Sequence, residues 1–119
     1  RIGHGIQGIR DEKVCDMIRE RDITLELCPT CNVVTNAVRG WDEYQEIVTK
    51  LDKKGIAYTI NTDGPYLLET SSRIEFMKMI LEGALTMEGV EKCLQHATRN
   101  TFLPNLTFNK QSGRALSQK

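Results

Sequence analysis

An α/β fold with parallel strands is what this sequence predicts, on three observations. Two short runs rich in Ile, Thr, Leu and Tyr, ITLELC at 23–28 and IAYTINT at 56–62, read as buried strands, each closed by turn formers. Segments of helical spacing fill the intervals between and after them. Strands that alternate with helices in this way run parallel, because each crossover returns the chain to the starting edge of the sheet.

Taken in order, residues 1–3 read as the stub of a first strand. In DEKVCDMIRERD, Val14, Met17, Ile18 and Arg21 share a face, and Asp11 and Glu12 occupy the first turn, where the helix dipole favours anions. ITLELC follows and gives way to Pro29, Thr30 and Asn32. WDEYQEIVTKLDKKG repeats the helical pattern through Trp41, Tyr44, Ile47, Val48 and Leu51, and Gly55 offers a left-handed stop. IAYTINT then ends at Asp63, Gly64 and Pro65. SSRIEFMKMILEG places Ile74, Met77, Ile80 and Leu81 together and stops at Gly83, and a last helix begins near a Thr86 cap and uses Val90, Cys93, Leu94 and Ala97. Beyond Pro104 periodicity is lost, so 1–104 is expected to be the folded unit and 105–119 a frayed polar tail. Three strands could form a small open sheet, or the last three or so βα units of an eight-stranded (β/α)8, or TIM, barrel of ~250 residues. The start at Arg1, inside an apolar phrase and without an initiator Met, favours the partial barrel and a longer parent protein.

Composition narrows the function classes. The chain has 119 residues, 39% apolar and 27% charged, which suits one globular domain. Lys plus Arg equals Asp plus Glu, 16 against 16, so no overall field draws the chain to nucleic acid or to an anionic membrane. No apolar stretch nears the ~20 residues that cross a bilayer, and no signal-peptide core opens the chain. Four scattered cysteines do not make the dense framework of a small secreted domain, and a cytoplasmic location with reduced thiols is expected.

In parallel α/β folds the residues just past the carboxyl ends of the strands line the active-site face. His4 follows the stub RIG and Asp63 follows IAYTINT, on different strands but the same side of the sheet. An imidazole and a carboxylate meeting there can do acid/base work or hold a divalent ion. Taken alone, His4 in GHG could equally hydrogen-bond its own loop, and Asp63 in TDGP could be a turn residue. The rival feature is CPTC at 28–31. A structural zinc there needs two further ligands, and only Cys15, Cys93 and two distant histidines remain. A redox C-x-x-C opens a helix, and NVVTNAVRG is a poor start for one. Cys28 is therefore expected buried at a strand end, with Cys31 lining a loop. His96 is read as partly exposed and structural, and Trp41, Phe76, Met77 and Met79 as packing.

The phrases RIGHG, ITLELCPTCNVVTNAV, INTDGP and HATRNTFLP occur in the order and spacing of the carboxyl-terminal part of the adenosine deaminase family, which this chain resembles over roughly residues 1 to 104. The resemblance implies a zinc-dependent purine aminohydrolase with a TIM-barrel fold. It implies that His4 stands beside the zinc-bound water, orienting it and stabilising the charge that develops. Asp63 would approach the zinc and hydrogen-bond the attacking hydroxide, which adds to C6 of a 6-aminopurine before ammonia leaves. Gly64 stands where the family usually has an acid that hydrogen-bonds a purine ring nitrogen, so the identity of the small-molecule purine is open, and Cys31 replaces the commoner serine. The family's His-x-His pair, its later zinc histidine and its ring-protonating glutamate are expected upstream of Arg1. Catalytic zinc normally takes three protein ligands, so the fragment alone is expected to be inactive and to pair with its amino-terminal part or self-associate. Two other readings stand beside it: a non-catalytic βα module or pseudoenzyme that self-associates to cover open strand edges, and a thiol protein using Cys28 and Cys31.

Overall fold

In a computed structural model, residues 1–103 are described in full and, beyond them, only the backbone of 106–109 and 114–117. The boundary expected at residue 104 lies outside the described residues. Among the described residues the main sheet has three strands, in the order β1 (Ile2–Gly3), β2 (Leu25–Leu27), β3 (Tyr58–Ile60). All pairs are parallel, with Ile2 opposite Leu25 and Leu27 opposite Ile60. This is a mixed α/β architecture of the kind that part of a (β/α)8 barrel would show. The strands are shorter than the apolar runs that announce them, losing residues at both ends: β2 spans three of the six residues 23–28 and β3 three of the seven residues 56–62. A second pair, β4 (Leu106–Asn109) and β5 (Arg114–Ser117), is antiparallel.

Among the described residues five α-helices follow or join the strands: α1 (Glu12–Glu20), α2 (Pro29–Val34), α3 (Trp41–Lys54), α4 (Ser72–Leu81) and α5 (Met87–Arg99). Asp11 caps α1 by accepting the amides of Lys13 and Val14, and Thr86 caps α5 by accepting that of Gly89. α3 carries Asp42 and Glu43 in its first turn, Lys53 and Lys54 in its last, and stops at Gly55, whose φ is 66°. Its expected face is the buried one, with Tyr44, Ile47, Val48 and Leu51 packed on Leu25, Leu27, Tyr58 and Ile60 of the sheet. No described helix is long and apolar enough to cross a membrane.

Two expectations are corrected. The segment after Cys28 is a helix, α2, and Cys31 lies within it rather than on a loop; Cys28 itself is buried at the strand end as expected. Pro29 stands at its start, where a missing N–H costs nothing. The buried carboxylate of Glu75 accepts the Thr30 amide at 2.9 Å, so the first turn is satisfied from another element. The second correction concerns α4. Its apolar stripe, Ile74, Met77, Ile80 and Leu81, faces solvent, whereas Glu75 and Met79 are buried. Glu75 turns inward because it has partners there: besides Thr30, the Thr70 hydroxyl donates to it at 2.5 Å.

Candidate active site

The three parallel strands deliver three groups to one end of the sheet. His4 directly follows β1, its amide donating to the Glu26 carbonyl at 2.9 Å, and Asp63 lies just past β3, where the Asn61 amide donates to the Leu27 carbonyl at 2.7 Å. α2 starts immediately past β2 and places Cys31 and Asn32 between them. His4 Nε2 is 3.8 Å from Asp63 Oδ2, and both side chains are partly exposed. The structure thus brings together the two residues singled out for chemistry, from strands whose sequence positions differ by some sixty residues.

Contacts fix each of them. Cys31 Sγ donates to Asp63 Oδ2 at 3.0 Å. Asn32 Nδ2 lies 2.9 Å from His4 Nδ1, and Tyr44 donates its hydroxyl to Asn32 Oδ1 at 3.2 Å. Both His4 and Asp63 sit in left-handed backbone, with φ of 55° and 59°, a region that costs a non-glycine residue energy and recurs at functional sites. A cavity of about 400 Å³ opens beside the imidazole, lined among others by His4, Gly5, Gln7, Cys31, Asn32 and Thr35. A larger groove of about 490 Å³ between α1 and α3 is lined by Glu12, Lys50 and Lys54, whose charges already pair with one another.

The two thiols are poor nucleophiles. The hydrogen bond to Asp63 and then burial push Cys31 up to about 11, and burial, with Asp63 next, pushes Cys28 up to about 12. A redox C-x-x-C needs a thiolate near neutrality, so these cysteines do not support the thiol reading even though a helix does begin there. Gly64 adjoins the site, and a Cβ built on it would meet only Leu67 Cβ, at 3.9 Å. His96 stands apart on α5, where Nδ1 lies 3.0 Å from the Tyr58 carbonyl oxygen. Asn32 and Tyr44 were not among the expected site residues. The rule that found His4 and Asp63, that residues past strand ends line the site, applies to Asn32 past β2 as well; nothing in the sequence distinguishes the Tyr44 hydroxyl from a packing ring.

Among the described residues no group of three or more His, Cys, Asp or Glu could hold a metal ion. One carboxylate and one imidazole face the site, fewer than the three protein ligands that catalytic zinc takes.

Comparison with known proteins places these contacts in a context. The family model described as adenosine deaminase matches residues 1–112. An adenosine deaminase of Plasmodium gallinaceum is 33% identical over 103 residues, covering 87% of this chain and 28% of that protein. An aminodeoxyfutalosine deaminase of Streptomyces coelicolor is likewise 33% identical over 103 residues, 87% of this chain and 26% of that protein. A second aminodeoxyfutalosine deaminase, of Streptomyces avermitilis, is 40% identical over 76 residues, 64% of this chain and 21% of that protein. The chain spans about a quarter of the length of the relatives it matches.

Proposed function

The chain belongs to the adenosine deaminase family, and on that premise we propose that it forms one wall of a zinc-dependent site that hydrolyses the 6-amino group of a purine. The observation that carries the reading is the approach of His4 Nε2 and Asp63 Oδ2, 3.8 Å apart, from the ends of β1 and β3. Asp63 fits as a single metal ligand, an exposed carboxylate oxygen facing the site. The described residues alone do not complete a ligand set, so the others would come from polypeptide beyond them, within the remainder of a TIM barrel. When bound, zinc would lower the pKa of a water and supply hydroxide near neutrality.

The rest of the reading concerns this chain's own groups. Asp63 would accept a hydrogen bond from the nucleophile and so aim it at C6, while the Cys31 thiol holds that carboxylate in place. His4 would stand on the opposite side of the nucleophile and stabilise the charge that develops as the oxygen adds and ammonia leaves. Gly64 would lie against the purine and contribute no carboxylate to it. The names of the matched relatives cover an adenosine and an aminodeoxyfutalosine deaminase, and the substrate here is proposed as a 6-aminopurine compound recognised without an acid at position 64. By itself the 119-residue chain is proposed to be inactive.

The apolar stripe of α4 favours one further element of the reading, a surface covered by more polypeptide, either the remainder of the barrel or a second copy. The decisive experiment measures ammonia release from a panel of 6-aminopurines by a polypeptide that contains this chain and the rest of the barrel. Asp63→Ala should lower turnover by about 10²–10⁴-fold, the contribution of a positioned proton acceptor. Near-normal turnover in that variant refutes the role given to Asp63.

A further inference from the structure

The charge-stabilising role given to His4 requires its proton on the nitrogen that faces the reacting groups, and the ring itself does not settle which nitrogen that is. A neutral imidazole carries one proton, on Nδ1 or on Nε2, and the partner of one nitrogen decides the role of the other. Here Nε2 is the atom directed at Asp63 Oδ2, at 3.8 Å, and Nδ1 is the atom turned to Asn32, at 2.9 Å. The orientation of the Asn32 amide therefore controls the site proton.

That orientation is set from the core. Tyr44 is fully buried and donates its hydroxyl to Asn32 Oδ1 at 3.2 Å. With Oδ1 committed to Tyr44, the amide presents Nδ2 to the histidine; an amide nitrogen only donates, so Nδ1 must accept and carries no proton. Reversing the amide would make the Tyr44 hydroxyl an acceptor and take from its buried proton the oxygen that satisfies it. Asn32 is buried, and its backbone is held at both ends: its amide donates to the Cys28 carbonyl at 2.9 Å, and its carbonyl accepts the Val38 amide at 3.2 Å. The side chain therefore swings little. We propose that Asn32, itself oriented by Tyr44, is a positioning residue that fixes the proton of His4 on Nε2, on the side of Asp63.

The inference deepens the proposed function by naming what prepares His4, and it rests on that reading only for the use made of the proton. The test reads the proton directly. Ring nitrogen resonances of His4 in the chain, recorded by two-bond ¹H–¹⁵N correlation at mildly alkaline pH, should show a predominantly Nε2–H form with a small Nδ1–H fraction. Asn32→Asp replaces the donor by an acceptor and should convert the ring to the Nδ1–H form. Tyr44→Phe removes only the hydroxyl that orients the amide, so the minor tautomer should rise by about fivefold, the population equivalent of one net hydrogen bond. An Nδ1–H ring in the unsubstituted chain overturns the proposal, as does an unchanged Nε2–H ring in Asn32→Asp with the remaining spectrum native. If Asn32→Asp does not fold, Tyr44→Phe decides, and an unaltered tautomer ratio there overturns it too. Because turnover plays no part in this measurement, failure of the deaminase reading and failure of the tautomer reading give different results.

Discussion

His4 and Asp63 share a backbone feature as well as a site: each occupies the left-handed region, at φ 55° and 59°, and each is followed by glycine. The glycines have different duties. Gly5 is itself left-handed, at φ 73°, and a Cβ there would lie 2.7 Å from Cδ2 of the buried Leu25 side chain, which would have to shift. Gly5→Ala should destabilise by about 2 kcal/mol, combining the left-handed penalty with overpacking, read as a lower urea midpoint. Gly64 has room, so Gly64→Asp should change the unfolding free energy measured in urea by less than about 0.5 kcal/mol and, in a complete barrel, shift preference toward adenosine; an unchanged substrate profile contradicts the anchor argument. Cys31 offers a test by pH. Its folded pKa, about 11, lies above the ordinary value of 9.0, so the unfolded chain gives up this proton before the folded one does. The stability linked to the thiol is complete below pH 9.0 and is lost as pH rises toward about 11. Melting temperature should fall over that window, and Cys31→Ser should flatten the slope. At this scale His4 and Asp63 were legible because each directly follows a readable apolar run. The place of Asn32 past β2 follows from the same rule, but its role and that of Tyr44 do not, since they arise from contacts with residues 28 and 12 positions away.

Among the elements, α3 was legible almost to the residue, since fourteen residues give the period room to repeat and Gly55 marks the stop. α2 was not, because six residues are too few for a period and its first turn is satisfied by Glu75, forty-five positions on. The same carboxylate explains the misread face of α4. Apolar spacing selects Ile74, Met77, Ile80 and Leu81, but the burial of Glu75 against Thr30 and Thr70 turns that stripe outward. Lys78 completes the arrangement by donating to Thr30 Oγ1 at 3.0 Å. Glu75→Ala would leave the Thr30 amide and the Thr70 hydroxyl buried without their acceptor, at a cost of about 3 kcal/mol. Glu75→Gln keeps one acceptor and should cost about half as much. Urea denaturation measures both, and amide exchange at Thr30 and Asn32 should quicken in the alanine variant if α2 depends on this cap. Equal stability of the two variants would show that the carboxylate does not hold the helix.

For the molecule as a whole, the question is what covers the surface that the sheet and α4 leave open. The core is continuous from Ile6 and Ile9 through Leu25 and Leu27 to Leu51, Tyr58 and Met79, yet large apolar side chains remain outside it. Leu67 is 86% and Leu81 79% exposed, and Met77 lies on the same helix four residues before Leu81. Scattered exposed leucines need no explanation, but a stripe along one helix at helical spacing marks a surface that associates. The electrostatics do not oppose this, because a net charge of zero at neutral pH provides no repulsion between copies. The isolated chain should therefore sediment above its 13.5 kDa monomer mass at tens of micromolar, with the excess growing on addition of salt, as expected for apolar rather than ionic contact. The double variant Met77→Glu/Leu81→Glu, altering only exposed positions, should return it to a monomer while its unfolding free energy in urea stays within about 0.5 kcal/mol. A chain that sediments as a monomer at every concentration would mean that no second copy covers the α4 stripe, leaving the remainder of a barrel as its cover, while the pairing of His4 with Asp63 stood untouched.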